Sequence, residues 1–130
     1  MSDFNKLFQK MGGGSNASYK ILGKNVSAEK LEGNSKFIQI DTTPKVVNIV
    51  DWSTAEIDTK YQEGVLSFAG VIDELDGTKL DSNKYLNKSS APFTREMVKI
   101  LQNKTLPIKV KVWKELDDKY NRYYAEEVQN

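Results

Sequence analysis

The alternation of apolar and polar residues predicts that strands make up most of this chain. Residues 45–57 (KVVNIVDWSTAEI) are rich in β-branched residues and alternate roughly, and residues 65–73 (VLSFAGVID) repeat the pattern after a polar turn. The dipeptide Asp76-Gly77 is a strong signal for a further tight turn. Residues 37–40 (FIQI) are a shorter strand candidate. The two long segments together predict an antiparallel hairpin.

Two other segments have helical periodicity. Near the N-terminus, apolar residues recur at helical spacing before the glycine-rich stretch GGGSNAS; they are Phe4, Leu7, Phe8 and Met11. A longer helix is predicted after a polar loop at residues 80–93, with Ser90 or Thr94 as its N-cap. Its apolar stripe consists of Phe93, Met97, Ile100 and Leu101. We expect this helix to stop before Pro107, after which a terminal hairpin follows.

The order of these elements predicts a mainly β fold with one inserted helix (α+β). The sheet is expected to close into a small barrel or to bend strongly as an antiparallel sheet. We expect residues 1–18 to form a short N-terminal helix with its tether, and residues 19–130 to form a single domain. Because such a short helix is marginal alone, it should pack on its own domain, on a partner or on a second copy of the chain.

Composition excludes several kinds of chemistry. The 130 residues include no cysteine and no histidine, which rules out Cys/His zinc sites, Ser-His-Asp triads and Cys-His dyads. No apolar run approaches the roughly 18–20 residues of a membrane span. The N-terminus lacks the pattern of a secretory signal. These features predict a cytoplasmic protein that does not contact a membrane.

Charge is distributed unevenly along a chain whose net charge is only +1. Residues 1–78 contain 8 Lys against 11 Asp and Glu, a net charge of −3. Residues 79–114 contain 9 Lys and Arg against 2 Asp and Glu, a net charge of +7. A basic segment of this kind is typical of a surface that binds a polyanion, although a solvated lysine-rich loop and helix would produce the same count.

The terminal hairpin alternates cations with aromatic rings in the stretch KVKVWKELDDKYNRYY, residues 109–124. A turn at Asp117-Asp118 predicts the cross-strand pairs Leu116–Lys119, Glu115–Tyr120, Trp113–Arg122, Lys111–Tyr124 and Lys109–Glu126. One face then belongs to the core and carries Ile108, Val110, Val112, Tyr123 and Ala125. The opposite face carries three rings among three cations: Trp113, Tyr120, Tyr124, Lys109, Lys111 and Arg122.

Three interpretations of that second face stay open. Bases of a single-stranded nucleic acid stack on rings at about 1–3 kcal/mol each, while Lys and Arg contact the phosphates. Alternatively, the rings and cations stabilise the hairpin as cross-strand and cation–π pairs. In a third arrangement the N-terminal helix covers Trp113. The first interpretation predicts a nucleic-acid-binding surface, and it adds Lys60 and Tyr61 at the tip of the first hairpin and Lys84 and Lys88 in the basic segment.

The segments YQEGVLSFAGVIDELDGTKL (61–80) and LPIKVKVWKELDDKYNRYYAEEV (106–128) resemble the second half of small OB-fold single-stranded DNA-binding proteins, in particular the viral and phage-encoded kinds. The resemblance covers roughly residues 45–128. It implies an OB-like, five-stranded Greek-key barrel that binds single-stranded DNA across one open face without a cofactor, with Trp113, Arg122 and Tyr124 at matching positions. Many such proteins end in a long acidic tail that recruits partners. This sequence ends in AEEVQN, so recruitment through the C-terminus is not expected.

Catalysis would have to depend on carboxylates. Glu56, Asp58 and Lys60, with Asp51 upstream, resemble the acidic-acidic-lysine set of metal-dependent nucleases and would share one strand face. Because so short a match is common by chance, we expect no enzyme activity, no bound metal and no cofactor.

The combined prediction is a non-enzymatic, sequence-tolerant single-stranded DNA-binding protein of viral or phage DNA replication or recombination, located in the cytoplasm of the host. DNA is favoured over RNA, and the N-terminal helix would serve a homodimer or a partner contact. The alternative is a small protein-interaction module, such as an inhibitor, an immunity protein or an assembly factor, that uses the same aromatic face.

Overall fold

The computed structural model describes residues 18–27, 37–58, 63–116 and 119–129, which form two sheets and one helix. A small hairpin consists of β1 (Ser18–Ile21) and β2 (Lys24–Ser27). The helix α1 (Ala91–Leu101) lies in the chain between the third and fourth strands of a larger sheet. That sheet contains β3 (Lys45–Ile57), β4 (Val65–Leu75), β5 (Thr78–Ser89), β6 (Ile108–Leu116) and β7 (Asn121–Glu127). The predicted mainly β fold with one inserted helix is confirmed.

The larger sheet is antiparallel and has the strand order β5-β4-β3-β6-β7. Four of its strands form a Greek key, because β6 returns after the helix to the free side of β3. Within the described ranges the edge strands β5 and β7 do not pair, so a closed barrel is not confirmed. The sheet nevertheless curls enough for its edges to approach, since Lys88 Nζ on β5 lies 4.1 Å from the ring centroid of Tyr123 on β7.

Local signals located β3, β4 and the turn that follows β4 well. β3 has the predicted bounds, and β4 extends two residues past the predicted end at Asp73. Asp76 and Gly77 have φ values of 51° and 83°, and these positive angles are what a two-residue type I′ turn between β4 and β5 requires. The predicted helix begins after Ser90, whose Oγ accepts a hydrogen bond from the Phe93 N–H at 3.4 Å.

Two local predictions were wrong. The predicted polar loop at residues 80–93 is instead mostly β5, which pairs with β4 from Thr78 to Ser89. This edge strand has few apolar residues, so its sequence shows no clear alternation. Backbone hydrogen bonds to β4 hold it in the sheet. Residues 37–40 form no strand; Phe37 makes one isolated bridge to Tyr85, and the Ile38 N–H donates to the Tyr85 carbonyl at 2.8 Å.

Each side of the larger sheet is covered by a different element. The side that we call inner packs against α1, and its buried residues include Val47, Phe68, Phe93, Met97 and Leu101. Across β3, β4 and β5 the outer side is covered in part by the β1–β2 hairpin, which buries Tyr19 and Ile21 against Ala55, Ala69 and Val71. The outer side of β6 and β7 carries the cation–aromatic pattern instead.

The predicted N-terminal helix lies outside the described residues. Among the described residues, no helix is both long and apolar enough to cross a membrane.

Candidate nucleic-acid interface

The terminal hairpin has a register two residues away from the predicted one. Trp113 pairs with Tyr124, Lys111 with Glu126, and Glu115 with Arg122. The predicted pairs Trp113–Arg122, Lys111–Tyr124, Lys109–Glu126, Glu115–Tyr120 and Leu116–Lys119 are therefore wrong, because the connection between the strands runs from Asp117 to Tyr120 and is longer than a two-residue turn. A shift of two residues keeps every side chain on its face, since strand side chains alternate with a period of two.

The outer side of β6 and β7 forms the surface that we call the aromatic face, defined by Lys109, Lys111, Trp113, Arg122 and Tyr124. Its centre is a stacked cross-strand pair, because the Trp113 and Tyr124 ring centroids lie 5.6 Å apart with an interplanar angle of 18°. Both rings are half-buried rather than fully covered by the described residues. Lys111 Nζ lies 5.4 Å from the Trp113 ring, within cation–π range. Cross-strand pairing is thus present, with partners other than those predicted.

Two lysines of the aromatic face are close to carboxylates. Lys109 Nζ lies 3.3 Å from Glu74 Oε2 of β4, and Lys111 Nζ lies 3.8 Å from Glu126 Oε2 of β7. Arg122 is exposed and lies across the ladder from Glu115. The face therefore has balanced charges, although Lys109, Lys111 and Trp113 belong to the strongly basic segment 79–114. Such partly exposed ion pairs contribute only about 0–1 kcal/mol each, so a phosphate can compete with the carboxylates for these lysines.

The remaining predicted residues fall in three places. Tyr120 is 69% exposed and lies just before β7, beyond the last cross-strand pair. Lys60 and Tyr61 lie outside the described residues, in the connection between β3 and β4. Lys84 and Lys88 lie on β5 opposite Ile72 and Phe68, which places them on the inner side of the sheet. The structure thus separates Lys84 and Lys88 from the aromatic face.

A cleft of about 510 Å³ opens where the two edge strands of the sheet approach each other. It lies between the end of β5, the start of α1 and the start of β7, and the end of β3 and the start of β4 also line it. The polar residues that line it come from β3, β5, the helix with its N-cap, and β7, and are Glu56, Ser89, Ser90, Arg95, Asn121 and Tyr123. We call this cleft, together with the adjacent Lys88 and Lys114, the basic cleft.

Tyr123 connects the basic cleft to the core. Its ring packs edge-on against Phe93 with a centroid distance of 6.4 Å, and Lys88 Nζ lies over the ring. Lys114 is its cross-strand neighbour on β6. Partial burial raises the pKa of the Tyr123 hydroxyl, but hydrogen bonds from Lys88 and Asn121 and the charges of Lys88 and Lys114 outweigh it, so the pKa lies below the ordinary value for tyrosine.

The cations of the basic cleft have no acidic partner among the described residues. Of the ion pairs that the described residues form, none includes Lys88, Arg95 or Lys114. Sequence reasoning assigned Tyr123 to the core and did not single out Arg95 or Lys114. The signal that indicates this site is the spacing of Lys84, Leu86 and Lys88, because lysines that flank an apolar residue at strand spacing lie on its side of the sheet.

The acidic residues considered for a nuclease have structural contacts. The Asp51 carboxylate accepts hydrogen bonds from the N–H groups of Leu22 and Trp52 and so holds the β1–β2 hairpin to β3. Asp58 Oδ1 accepts from the Gly64 N–H at 2.8 Å. In the ranges that the structure describes, no group of three or more acidic side chains is placed to hold a metal ion.

A scan against protein-family models, a search of curated proteins and a search of solved structures each found no match. A function for this chain therefore has to be argued from its own residues and their geometry.

Proposed function

We propose that this protein binds single-stranded DNA, without catalysing a reaction, through the aromatic face of β6 and β7. The observation that supports this most strongly is the stacked Trp113–Tyr124 pair, which is partly exposed on a strand face. Each ring presents a flat apolar surface on which a base of any identity can stack. Duplex DNA keeps its base faces covered, so a surface of this kind favours single strands.

The cations around the ring pair supply the complementary contacts to phosphate. Lys109, Lys111 and Arg122 lie on the same face as the rings, and a phosphate would replace Glu74 or Glu126 as the partner of the two lysines. Tyr120, which is well exposed beside this face, is a further stacking position. This arrangement reads no base edge, so binding is expected to tolerate any sequence.

The topology supports an OB-like plan for this function. Three strands in meander order are followed by a helix and by a hairpin that pairs with the first strand of the meander. OB-folds are partly open five-stranded Greek-key barrels that bind oligonucleotides on one face and through two loops. In this chain the β1–β2 hairpin covers part of the outer side of β3 and β4, which favours the neighbouring strands β6 and β7 as the contact surface.

One observation favours a second candidate, a protein-interaction module that uses the same face. The lysines of the aromatic face are already beside carboxylates, as is common where a protein surface meets another protein surface with balanced charges. Salt separates the two functions. Binding to a nucleic acid releases counterions and weakens steeply with salt, whereas an aromatic protein interface does so far less.

The test is the fluorescence anisotropy of a labelled oligo(dT) titrated with the full chain at about 50 and 200 mM salt. We expect binding that quenches tryptophan fluorescence, weakens with salt and exceeds binding to a duplex of equal length. Trp113→Ala should weaken it by about fivefold to about a hundredfold, since one stacked base contributes about 1–3 kcal/mol.

The control is Leu116→Ala, which truncates a more exposed apolar side chain of the same hairpin. Leu116 is 69% exposed and carries no ring, so its loss should leave DNA binding unchanged. Equal weakening by both variants would mean that hairpin stability, not stacking, controls binding. An absence of oligo(dT) binding at micromolar protein would contradict the proposal and favour the interaction module.

A further inference from the structure

The basic cleft has the shape and the polar lining of a small ligand site. Its volume of about 510 Å³ lies within the roughly 300–1,000 Å³ typical of sites for small organic ligands. Arg95 approaches from the helix, and Asn121 and Tyr123 approach from β7.

The charge of the cleft selects the class of ligand. Arg95 lines it, and Lys88 and Lys114 lie beside the lining residue Tyr123. None of these three cations has an ion-pair partner among the described residues. Glu56 is the one acidic side chain along its walls as far as the structure describes them. An excess of cations beside an aromatic ring suits a ligand that combines a phosphate with a planar base.

We propose that the basic cleft binds one nucleotide unit of the single-stranded DNA, with its phosphate on Lys88, Arg95 and Lys114 and its base and sugar against Tyr123. This proposal rests on the proposed function and extends it, because it assigns a second contact on the inner side of the sheet. A strand that contacts both regions would pass around the β7 edge, from the aromatic face to the seam between β7 and β5.

The two regions should respond differently to salt, and this difference makes the proposal testable. Loss of a stacking ring lowers affinity without changing the number of phosphates neutralised. Loss of a cation lowers both the affinity and the slope of log K against log salt concentration, by roughly 0.7 per phosphate contact on a single strand. The slope therefore reports the cleft cations separately from the rings.

The experiment measures oligo(dT) anisotropy at a series of salt concentrations for the full chain and for the double variant Lys88→Gln/Arg95→Gln. We expect about tenfold weaker binding at about 50 mM salt and a slope reduced by roughly 1.4, the sum of two lost contacts. The matched control, Lys79→Gln/Lys99→Gln, removes the same charge from the same strand and the same helix. Lys79 pairs across the ladder with Glu74, and Lys99 Nζ lies 3.4 Å from Glu96, so neither belongs to the cleft.

Each outcome decides one question. A reduced slope in the cleft variant, with a near-wild-type slope in the control and in Trp113→Ala, supports the proposal. Equal slopes in the cleft variant and its control overturn the cleft site and leave the proposed function in place. A wild-type chain that does not bind oligo(dT) overturns both. Thermal melting followed by circular dichroism verifies that the variants fold.

Discussion

Lys109 and Lys111 on the aromatic face lie beside Glu74 and Glu126, whereas Lys88 and Arg95 at the basic cleft form no ion pair within the described residues. Both pairs of cations belong to the same basic segment of the chain. The difference arises because Glu74 reaches Lys109 from β4 and Glu126 reaches Lys111 from the neighbouring strand β7, while Glu56 is the one acidic residue among those described that line the seam between β5 and β7. A local count of charges thus identifies a basic segment but does not show which of its surfaces attracts an anion.

The two regions also differ in what supports them. Trp113 and Tyr124 stack on each other across a single strand pair. Tyr123 instead packs on Phe93, which is fully buried and contacts Phe68 at a centroid distance of 6.2 Å. The basic cleft is therefore a part of the core's edge, and the aromatic face is an addition to the hairpin surface. Truncating the buried Phe93 beneath the basic cleft should therefore damage the fold, whereas truncating a ring of the aromatic face should mainly damage the ligand contact.

The largest expected effect is that of Phe93→Ala. Removing a fully buried ring from the core should lower the free energy of unfolding by about 3–5 kcal/mol. Urea denaturation measures it, with Leu116→Ala as an exposed control expected to cost less than about 0.5 kcal/mol. A loss of under about 1 kcal/mol for Phe93→Ala would contradict the claim that the cleft rests on the core.

Mutations of the ring pair on the aromatic face should have a smaller effect on the free energy of unfolding, and part of that effect should depend on both rings. A double-mutant cycle of Trp113→Ala and Tyr124→Ala should give a coupling of about 0.5–1.5 kcal/mol in the free energy of unfolding, because the stacking is lost once, not twice. Strictly additive losses would mean that the rings do not stack in solution. Replacing Tyr120, which lies beyond the ladder, should show no coupling with Trp113.

Ionisation of Tyr123 should distinguish the cleft from the aromatic face. Lys88, Lys114, Arg95 and Glu56 are the charged groups around it, and the net effect is a lowered pKa. Lys88→Gln should raise that pKa, measured as tyrosinate absorbance relative to Tyr123→Phe. The pKa of Tyr123 is lower in the folded state than in the unfolded state. Its ionisation therefore increases the free energy of unfolding as pH rises from the folded-state pKa to the unfolded-state pKa, and this increase is lost as pH falls through the folded-state pKa.

The same titration should affect ligand binding. A tyrosinate in the cleft adds a negative charge where we place a phosphate, so oligo(dT) binding should weaken several-fold as pH rises through the Tyr123 pKa. Tyr123→Phe should remove this pH step while Trp113→Ala retains it. A step that persists in Tyr123→Phe would assign it to another group.

The smallest expected effect concerns the ion pairs of the aromatic face. Glu126→Gln removes the carboxylate beside Lys111 and should strengthen oligo(dT) binding by about two- to threefold at low salt, because exposed pairs contribute about 0–1 kcal/mol. Glu96→Gln, which removes the exposed partner of Lys99 on the helix, is the control and should have no effect beyond net charge. Equal gains in both variants would mean that only net charge matters.

The sequence predicted those elements of the structure whose formation depends on neighbouring residues in the chain. The bounds of β3, the turn at Asp76-Gly77 and the Ser90 cap depend on neighbouring residues, and all three were predicted. The edge strand β5 was predicted to be a loop, because its sequence shows no clear apolar alternation. Its pairing with β4 depends on backbone hydrogen bonds, which a pattern of side chains does not indicate.

The candidate site divides in the same way. The alternation of residues predicted which side chains share the aromatic face. An error of two residues in the register did not change that prediction, because it keeps each side chain on its face. The contact between Lys88 and Tyr123 joins the two edges of the sheet and arises from its curl, which no local pattern encodes. Sequence reasoning therefore found the rings, but it placed Lys88 with the aromatic face and did not single out Arg95 or Lys114.

The most direct test of the account is a titration of the ¹⁵N-labelled 130-residue chain with oligo(dT), followed by amide chemical shifts. We predict that two sets of amides move together and saturate together: those of residues 109–113 and 122–124 around the aromatic face, and those of residues 88–95 with Asn121 at the basic cleft. Shifts confined to other surfaces, or no shifts at saturating oligonucleotide, would contradict the claim that this protein binds single-stranded DNA across these two regions.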